Sequence, residues 1–249
     1  MTGRPPTTAL GGASPGADTV VGRLALVRRR IAEAGGDPES VRVVAVTKGF
    51  GLPAVEAALG AGLTDLGENY ASELVGKAAA LAASSESAAL APSSGAGVPP
   101  PVWHFLGAVQ RRKVPGLAPV VGCWQGVARP VEAEAIARHR PGARVLVQVD
   151  VTGAPGRNGC PPSEVPGLVK VARDLGLDVL GLMTVAPTEP SAAGRAFDVV
   201  RDLADRLGLP ERSMGMSGDL ELAVAAGSTM VRVGRALFGE RPTIEGGAG

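Results

Sequence analysis

The chain has 249 residues, with 25 lysines and arginines against 24 aspartates and glutamates, so its formal net charge is +1 at pH 7. This balance disfavours nucleic acids and anionic membranes as partners, since both attract strongly basic proteins. Hydrophobic residues make up 45% of the chain, which excludes disorder throughout and, at this length, allows one large α/β barrel or two smaller domains.

The N-terminal residues 1–17 are predicted to form a flexible tail, because Gly, Pro, Ser and Thr dominate them and give no apolar face. An amphipathic helix is predicted from about Val20 and ends at Gly35-Gly36. The sequence has no signal-peptide pattern and no run of about 18 apolar residues. The protein is therefore expected to be soluble and cytoplasmic.

Eight short apolar runs follow, and they predict strands that are buried on both faces, as in a parallel sheet. They are VRVVAV (41–46), LTDLGE (63–68), VWHFLG (102–107), PVVGCW (119–124), RVLVQVDV (144–151), DVLGLMTV (178–185), RSMGMS (212–217) and TMVRVG (229–234). Helical stretches separate most of these runs. Residues 84–101 have no apolar period and end in three prolines, so a low-complexity surface insertion is predicted there, and residues 242–249 are predicted to be a second flexible tail.

Eight strands that alternate with helices favour a single (β/α)₈ barrel of the TIM type over residues 18–241, preceded by the N-terminal helix. An open doubly wound sheet is the alternative. The first turn after a strand, VTKGFG, lacks the GxGxxG pattern of that fold, so the barrel is preferred. Cys123 and Cys160 have neither metal-like spacing nor a disulfide framework, which predicts buried, inert thiols in a reducing compartment and no metal site.

Active sites of such barrels lie at the carboxyl ends of the strands. Lys48 directly follows the first strand, and its position fits either a surface lysine or a lysine that forms a Schiff base. Desolvation in the barrel mouth lowers the pKa of an amine and provides the neutral nucleophile that attacks an aldehyde.

Small residues follow strands seven and eight, where barrels commonly bind phosphate through backbone N–H groups. Ser217 with Gly218, and Gly234 with Arg235, stand at these two positions. Ordinary capping and turn formation explain each pair taken alone. Together with Lys48 they indicate an aldehyde that carries a phosphate, which is pyridoxal 5′-phosphate.

Arg232 precedes the second phosphate loop by two residues and is predicted to point into the barrel beside the cofactor ring. A solvated strand-end arginine is the alternative. A guanidinium donates to a pyridine nitrogen but stays charged, so it leaves that nitrogen unprotonated and weakens the ring as an electron sink.

Several segments give the chain a resemblance to a known family: VAVTKGF, LGENYASE, WHFLGAVQRRK, GLMTV, SMGMSGDLELAVAAGSTMVRVG and ALFG, between about residues 20 and 240. The chain resembles the pyridoxal phosphate homeostasis proteins, the YggS/PROSC-type family that is related to the barrel of alanine racemases. The resemblance implies that Lys48 forms the internal aldimine, that Ser217 and the Gly234-Arg235 backbone hold the phosphate, and that Arg232 faces the pyridine nitrogen. It also implies that Asn69, His104 and Met214 line the pocket, although a hydrogen-bonded core histidine is the other interpretation of His104.

The chain departs from the family pattern at several positions. Arg235 stands where the family usually has threonine, and Phe50 where members often have a second lysine. Asp150 and Arg157 replace the usual asparagine and lysine after strand five, and WQG at 124–126 replaces a more common polar end of strand four. These departures leave the outline of the cofactor site intact but count against any role that the family assigns to a second lysine.

Two functions from different classes fit this site. One is a protein that holds pyridoxal phosphate as a Lys48 Schiff base, takes part in its homeostasis and transfer, and has no strong catalysis of its own. The other is an amino-acid racemase, which needs a proton donor on each face of the cofactor. In the related racemases a C-terminal domain supplies the second donor, a tyrosine, whereas the only tyrosine here is Tyr70, near strand two. The binding protein is therefore preferred.

The expected partners of a binding protein are amino acids, as external aldimines, and apoenzymes that depend on pyridoxal phosphate. The protein is expected to be a monomer with no nucleic acid or membrane partner. A barrel that binds another phosphorylated metabolite without a covalent bond is a third alternative.

Overall fold

A computed structural model describes residues 15–89 and 100–241 of the chain. Its strands are β1 (Arg42–Val46), β2 (Asp65–Glu68), β3 (Val102–Phe105), β4 (Val121–Val127), β5 (Arg144–Val149), β6 (Asp178–Thr184), β7 (Glu211–Ser213) and β8 (Met230–Val233). Its helices are α1 (Ala17–Glu33), α2 (Leu52–Gly60), α3 (Ala71–Ala89), α4 (Val114–Leu117), α5 (Pro130–His139), α6 (Val165–Asp174), α7 (Pro190–Arg206), α8 (Leu220–Ala225) and α9 (Arg235–Phe238), and a 3₁₀ turn (Arg111–Lys113) precedes α4.

The eight strands form one closed parallel barrel in chain order. Each strand pairs in parallel with the next, and β8 pairs with β1, where Val44 lies opposite Arg232 and Ala45 opposite Val233. This closure confirms the predicted (β/α)₈ barrel and shows that the alternative open sheet is wrong. The additional helix α1 packs on α2, α8 and α9 and completes the outer layer beside the β8–β1 junction.

The apolar core has two parts, because side chains of a strand alternate between the two faces of the sheet. The larger part lies between the strands and the helices and includes Ile31, Leu66, Trp124 and Phe197, all essentially inaccessible to solvent. The smaller part lies inside the barrel and consists of Val44, Cys123, Leu146, Met183 and Met230. The barrel is therefore a packed core below its open end.

Two local predictions differ from the structure. The predicted insertion begins six residues too early, because α3 continues through residues 84–89, where alanine favours the helix despite the serines. The predicted seventh strand is longer than β7, because Gly215 adopts a left-handed φ of 90° that ends the extended backbone. The tail at 1–14, the rest of the insertion at 90–99 and the C-terminal tail at 242–249 lie outside the described residues.

No helix in the described ranges 15–89 and 100–241 is both long and apolar enough to cross a membrane. In the same ranges no group of three or more His, Cys, Asp and Glu side chains is placed to hold a metal ion.

Both cysteines are expected to resist alkylation in the folded protein. Cys123 and Cys160 are free and each is 2% exposed. Burial raises the pKa of Cys123 to about 12 and that of Cys160 to about 11, so at pH 8 the reactive thiolate is about one part in a thousand or less. Iodoacetamide at pH 8 should label neither thiol in buffer and both in urea. Rapid labelling of either one without urea would contradict the buried placement.

Candidate functional site

A cavity of about 690 Å³ opens at the carboxyl ends of the strands. Its volume lies within the range of ordinary small-molecule sites, and its position is that of active sites in this class of barrel. Strand ends and the segments after β1, β2, β3, β6, β7 and β8 supply its walls. They include Lys48, Phe50, Asn69, Leu106, Met183, Thr188, Ser217, Asp219, Arg232, Gly234, Arg235, Glu240 and Arg241.

Lys48 lies in the wall of this cavity, two residues beyond the end of β1. Val44 belongs to the core inside the barrel, and the alternation of side chains continues from it through Val46 to Lys48, so the lysine side chain faces inward. The side chain is half-buried. Desolvation lowers the pKa of its amine, Arg241 and Arg232 lower it further, and Glu68 opposes them.

A buried ionic cluster holds the backbone on both sides of Lys48. We call it the Lys77 cluster; it consists of Thr47, Glu68, Glu73 and Lys77. Lys77 Nζ donates to Glu68 Oε1 at 2.5 Å, to Glu73 Oε2 at 3.0 Å and to the Thr47 carbonyl oxygen at 2.8 Å. Glu73 Oε2 also accepts the backbone N–H of Gly49 at 2.9 Å. The two residues that flank Lys48 are thus tied to one ammonium–carboxylate group.

Glu68 is the carboxylate at the centre of the Lys77 cluster. It is fully buried, Thr47 Oγ1 donates to its Oε1 at 2.7 Å, and its Oε2 has no hydrogen-bond partner. Burial raises the pKa of Glu68, opposed by its bonds to Lys77 and Thr47. The sequence shows Glu73 and Lys77 at helical spacing, but nothing in it predicts that Lys77 reaches back to the end of β1.

Arg232 forms part of the cavity floor and is 5% exposed. Its Nη1 donates to the carbonyl oxygen of Ser213 at 2.6 Å and to the hydroxyl of Ser213 at 2.8 Å, and its Nη2 donates to the carbonyl oxygen of Thr184 at 2.6 Å. Burial lowers the pKa of Arg232 to about 10, so the guanidinium stays charged at neutral pH. The alternative of a solvated strand-end arginine is therefore wrong.

The loops after β7 and β8 meet at Ser217. Its Oγ accepts the backbone N–H of Ala236 at 3.2 Å, and its carbonyl oxygen accepts from Arg30 of α1 at 3.0 Å. Arg30 also pairs with Glu221 of α8. Gly234 caps α9, and a Cβ added there would lie 3.1 Å from the Val46 carbonyl oxygen, so glycine lets the loop after β8 pack closely on the end of β1.

The structure brings together six of the predicted site residues and separates two. Lys48, Asn69, Ser217, Arg232, Gly234 and Arg235 all line the cavity. His104 and Met214 do not line it, contrary to the expectation from the resemblance. His104 lies lower in the barrel, 1% exposed, with both ring nitrogens hydrogen-bonded, and Met214 is fully buried in the outer core. His104 therefore lies below the cavity floor, and Met214 points away from the barrel interior.

The departures from the family pattern have clear positions. Phe50 lines the cavity and packs against Phe238, with ring centroids 5.3 Å apart. Asp150 Oδ1 accepts from Thr152 and forms a local turn, and Arg157 donates to the carbonyl oxygen of Val185 at 2.9 Å. Neither Asp150 nor Arg157 is among the residues that line the cavity.

The amine of Lys48 is expected to react with acylating reagents at a lower pH than an exposed lysine does. A lowered pKa means that a larger fraction of the amine is neutral at any pH below the ordinary value. Lys170, which is exposed on α6, is the matched control. Labelling with limiting acetic anhydride from pH 7 to 10, read by peptide mass spectrometry, should favour Lys48 most at the low end. Equal pH profiles for the two lysines would contradict the lowered pKa.

Comparison with known proteins adds an independent result. A family model described as "Alanine racemase, N-terminal domain" matches residues 24–242. The pyridoxal phosphate homeostasis protein of Pseudomonas aeruginosa is 38% identical over 236 residues, which cover 90% of this chain and 96% of that protein. The protein of the same name from Deinococcus radiodurans is 38% identical over 221 residues, covering 86% of this chain and 97% of that protein.

Solved structures of two other proteins are also similar to this chain. PipY of Synechococcus elongatus, in a structure with pyridoxal phosphate (PLP) bound, is 28% identical with a TM-score of 0.69, covering 88% of this chain and 100% of that chain. An alanine racemase from Corynebacterium glutamicum is 17% identical with a TM-score of 0.63 and covers 94% of this chain and 63% of that chain. At that identity the racemase shows a shared fold alone.

Proposed function

Because the chain belongs to the family of pyridoxal phosphate homeostasis proteins, with the fold of the alanine racemase N-terminal domain, we propose that it binds pyridoxal 5′-phosphate covalently through Lys48. The observation that carries the proposal is the position of the Lys48 amine. It is half-buried and its pKa is lowered. It shares one cavity with the buried guanidinium of Arg232 and with the loops after β7 and β8.

The residues of the cavity fit this cofactor by their donor set and charge. Four cationic side chains line it against two carboxylates; the cations are Lys48, Arg232, Arg235 and Arg241, and the carboxylates are Asp219 and Glu240. This excess suits a phosphate dianion. The backbone N–H of Gly234 and the hydroxyl of Ser217 would supply donors to phosphate oxygens, and Asn69 adds an amide to the cavity wall.

Each side chain has a distinct task in this proposal. The cofactor supplies an aldehyde that condenses with a primary amine, with loss of water, to a Schiff base. Lys48 Nζ provides that amine in its neutral form, and the Lys77 cluster fixes the backbone from which it extends. Arg232, at the cavity floor, would donate a hydrogen bond to the ring nitrogen and retain its own proton. Arg235 adds positive charge beside the phosphate in place of the hydroxyl that the family usually has.

The proposed role is storage and transfer of the cofactor, without strong catalysis of the protein's own. Amino acids and PLP-dependent apoenzymes are its expected partners, because both present amines that compete with Lys48 for the aldehyde. The two free thiols suit a reducing compartment, and we place the protein in the cytoplasm as a monomer.

A borohydride experiment tests the covalent link. The purified protein with added pyridoxal phosphate should absorb visible light, and reduction with borohydride should fix a pyridoxyl group on the Lys48 peptide. The chain has no lysines besides Lys48, Lys77, Lys113 and Lys170, so mass spectrometry assigns the site directly. Lys48→Ala should lose both the absorbance and the label, and Lys170→Ala should keep both. An unchanged spectrum in Lys48→Ala, or a label elsewhere in the unmodified chain, would refute the proposal.

A further inference from the structure

Five polar side chains form one continuous hydrogen-bonded series through the barrel interior beneath the cavity. We call this series the lumen chain; it consists of Arg232, Ser213, Gln125, His104 and Asp65. The hydroxyl of Ser213 bonds to Arg232 Nη1 at 2.8 Å and to Gln125 Oε1 at 2.7 Å. Gln125 Nε2 lies 2.7 Å from His104 Nδ1, and His104 Nε2 lies 2.7 Å from Asp65 Oδ1. The series links the cavity floor to the first residue of β2.

The bond between Ser213 and Gln125 crosses the interior of the barrel. Ser213 belongs to β7 and Gln125 to β4, and these strands are separated by β5 and β6 on the shorter side of the ring. Ser213 and Gln125 are fully buried and His104 is 1% exposed, whereas the side chain of Asp65 is 22% exposed at the amino end of the barrel. A buried polar series of this kind is stable only when its members satisfy one another.

The hydrogen bonds fix one direction for every donor in the lumen chain. Arg232 only donates, so the Ser213 oxygen accepts from it and the Ser213 proton goes to Gln125 Oε1. The amide nitrogen of Gln125 then faces His104 and donates to Nδ1, which leaves the single imidazole proton on Nε2. That proton is donated to the carboxylate of Asp65. Donors therefore run in one direction from the guanidinium to the carboxylate.

We propose that Gln125 and His104 are positioning residues for Arg232, acting through the hydroxyl of Ser213. While the Ser213 hydroxyl donates its proton to Gln125, a lone pair of the same oxygen points at Arg232. That bond helps to hold the guanidinium in one orientation at the cavity floor. Loss of Gln125 frees the Ser213 hydroxyl to rotate, and loss of the imidazole frees the amide of Gln125 to turn away from that hydroxyl. Either change weakens the directional hold of one of the three acceptors that orient Arg232. The proposal rests on the proposed function only in that Arg232 faces the cofactor ring.

The first test needs no cofactor. Side-chain ¹H–¹⁵N spectra of the full chain should show resolved guanidinium signals for Arg232, assigned by their loss in Arg232→Lys. In Gln125→Met and in His104→Leu these signals should broaden or merge, because rotation about the guanidinium bonds becomes faster. His104→Asn, nearly the same size as leucine but with an oxygen that accepts from Gln125, should retain more of the resolved pattern than His104→Leu does.

The second test measures the affinity for pyridoxal phosphate and its visible absorbance. Gln125→Met should weaken pyridoxal phosphate binding about tenfold, the effect of one lost hydrogen bond on orientation, and shift its visible absorbance maximum. Ser228→Ala is the control, because it removes a buried polar group that bonds to the backbone carbonyls of Arg212 in β7 and Met230 in β8 but lies outside the lumen chain. It should leave the guanidinium signals, affinity and absorbance as in the unmodified chain.

Unchanged Arg232 signals together with unchanged affinity in folded Gln125→Met would overturn the proposal, as would equal behaviour of His104→Asn and His104→Leu. Circular dichroism checks that each variant is folded, and His104→Asn serves if Gln125→Met is not. If the unmodified chain shows no visible absorbance with pyridoxal phosphate, the proposed function fails, and the guanidinium spectra still decide whether the lumen chain orients Arg232.

Discussion

Replacement of Lys77 by methionine is expected to lower the free energy of unfolding by about 3–5 kcal/mol, because it leaves the buried Glu68 carboxylate without its cation. For a chain of this length that loss corresponds to a fall in melting temperature of about 6–20 °C. Methionine keeps most of the side-chain volume, so the effect reports the missing charge more than a cavity. Urea unfolding followed by circular dichroism gives the free energy.

The destabilisation of Lys77→Met should depend on pH in a defined direction. Burial already raises the pKa of Glu68, and removal of Lys77 raises it further because Lys77 opposes that shift. A carboxyl with a raised pKa favours the folded state when protonated, so the loss is largest at pH 8 and shrinks as the pH falls toward 5. A loss that grew toward pH 5 would contradict the assignment of a charged Glu68.

Two further variants serve as controls. Lys170 and Asp174 form an ion pair with the same i,i+4 spacing on the exposed face of α6, so Lys170→Met should cost no more than about 0.5 kcal/mol. The double variant Lys77→Met with Glu68→Gln removes both charges and should recover much of the stability that Lys77→Met loses. If Lys77→Met is as stable as Lys170→Met, the Lys77 cluster does not hold the end of β1.

The protein with pyridoxal phosphate bound is expected to exchange the Cα proton of L-alanine no faster than free cofactor does. Arg232 stays charged and cannot protonate the ring nitrogen, which weakens electron withdrawal. Among the described residues that line the cavity there is no tyrosine, histidine or cysteine to act as a second proton donor. Each general acid or base is typically worth about 10²–10⁴-fold in rate, so the combined deficit spans several orders of magnitude.

Incubation with L-alanine in deuterated water measures this directly. Mass spectrometry follows deuterium at Cα, and chiral chromatography follows the D-isomer, with free pyridoxal phosphate and Lys48→Ala as the two reference samples. An added amino acid is still expected to change the visible spectrum, because that step requires only the aldehyde. Turnover near the enzyme median of about 10 s⁻¹ would contradict the proposed carrier function and favour the racemase alternative.

The sequence predicts the barrel well because its evidence is local. Continuous β-branched runs such as residues 41–46 identify strands buried on both faces. Once this first strand is identified, Lys48 can be placed just beyond its carboxyl end. Whether a side chain points into the barrel can also be predicted from a short segment, because side chains alternate between the two faces along a strand. His104 does point inward as that rule requires, but its depth depends on the stagger between β3 and its neighbours, which no short segment encodes.

The ionic and polar groups that support the site could not be predicted for the same reason. Glu73 and Lys77 suggest an ordinary surface pair at helical spacing, and only the docking of α3 against β2 and β3 buries Lys77 and brings it to the Thr47 carbonyl. Gln125 is separated from Ser213 by 88 positions, so the bond between them exists only once the barrel has closed. Long-range contacts of this type leave no periodic pattern in a sequence.

The contact between Arg30 and Ser217 couples the docking of α1 to the loop that is proposed to bind phosphate. Arg30 reaches from α1 to the Ser217 carbonyl and to Glu221, so docked α1 adds contacts that hold this loop. By linkage, a ligand that favours the ordered loop stabilises the docking of α1 by the same free energy with which docked α1 strengthens ligand binding. If this loop binds the cofactor as proposed, local opening of α1 and release of the cofactor are coupled equilibria, so loss of the Arg30 contacts should weaken cofactor binding.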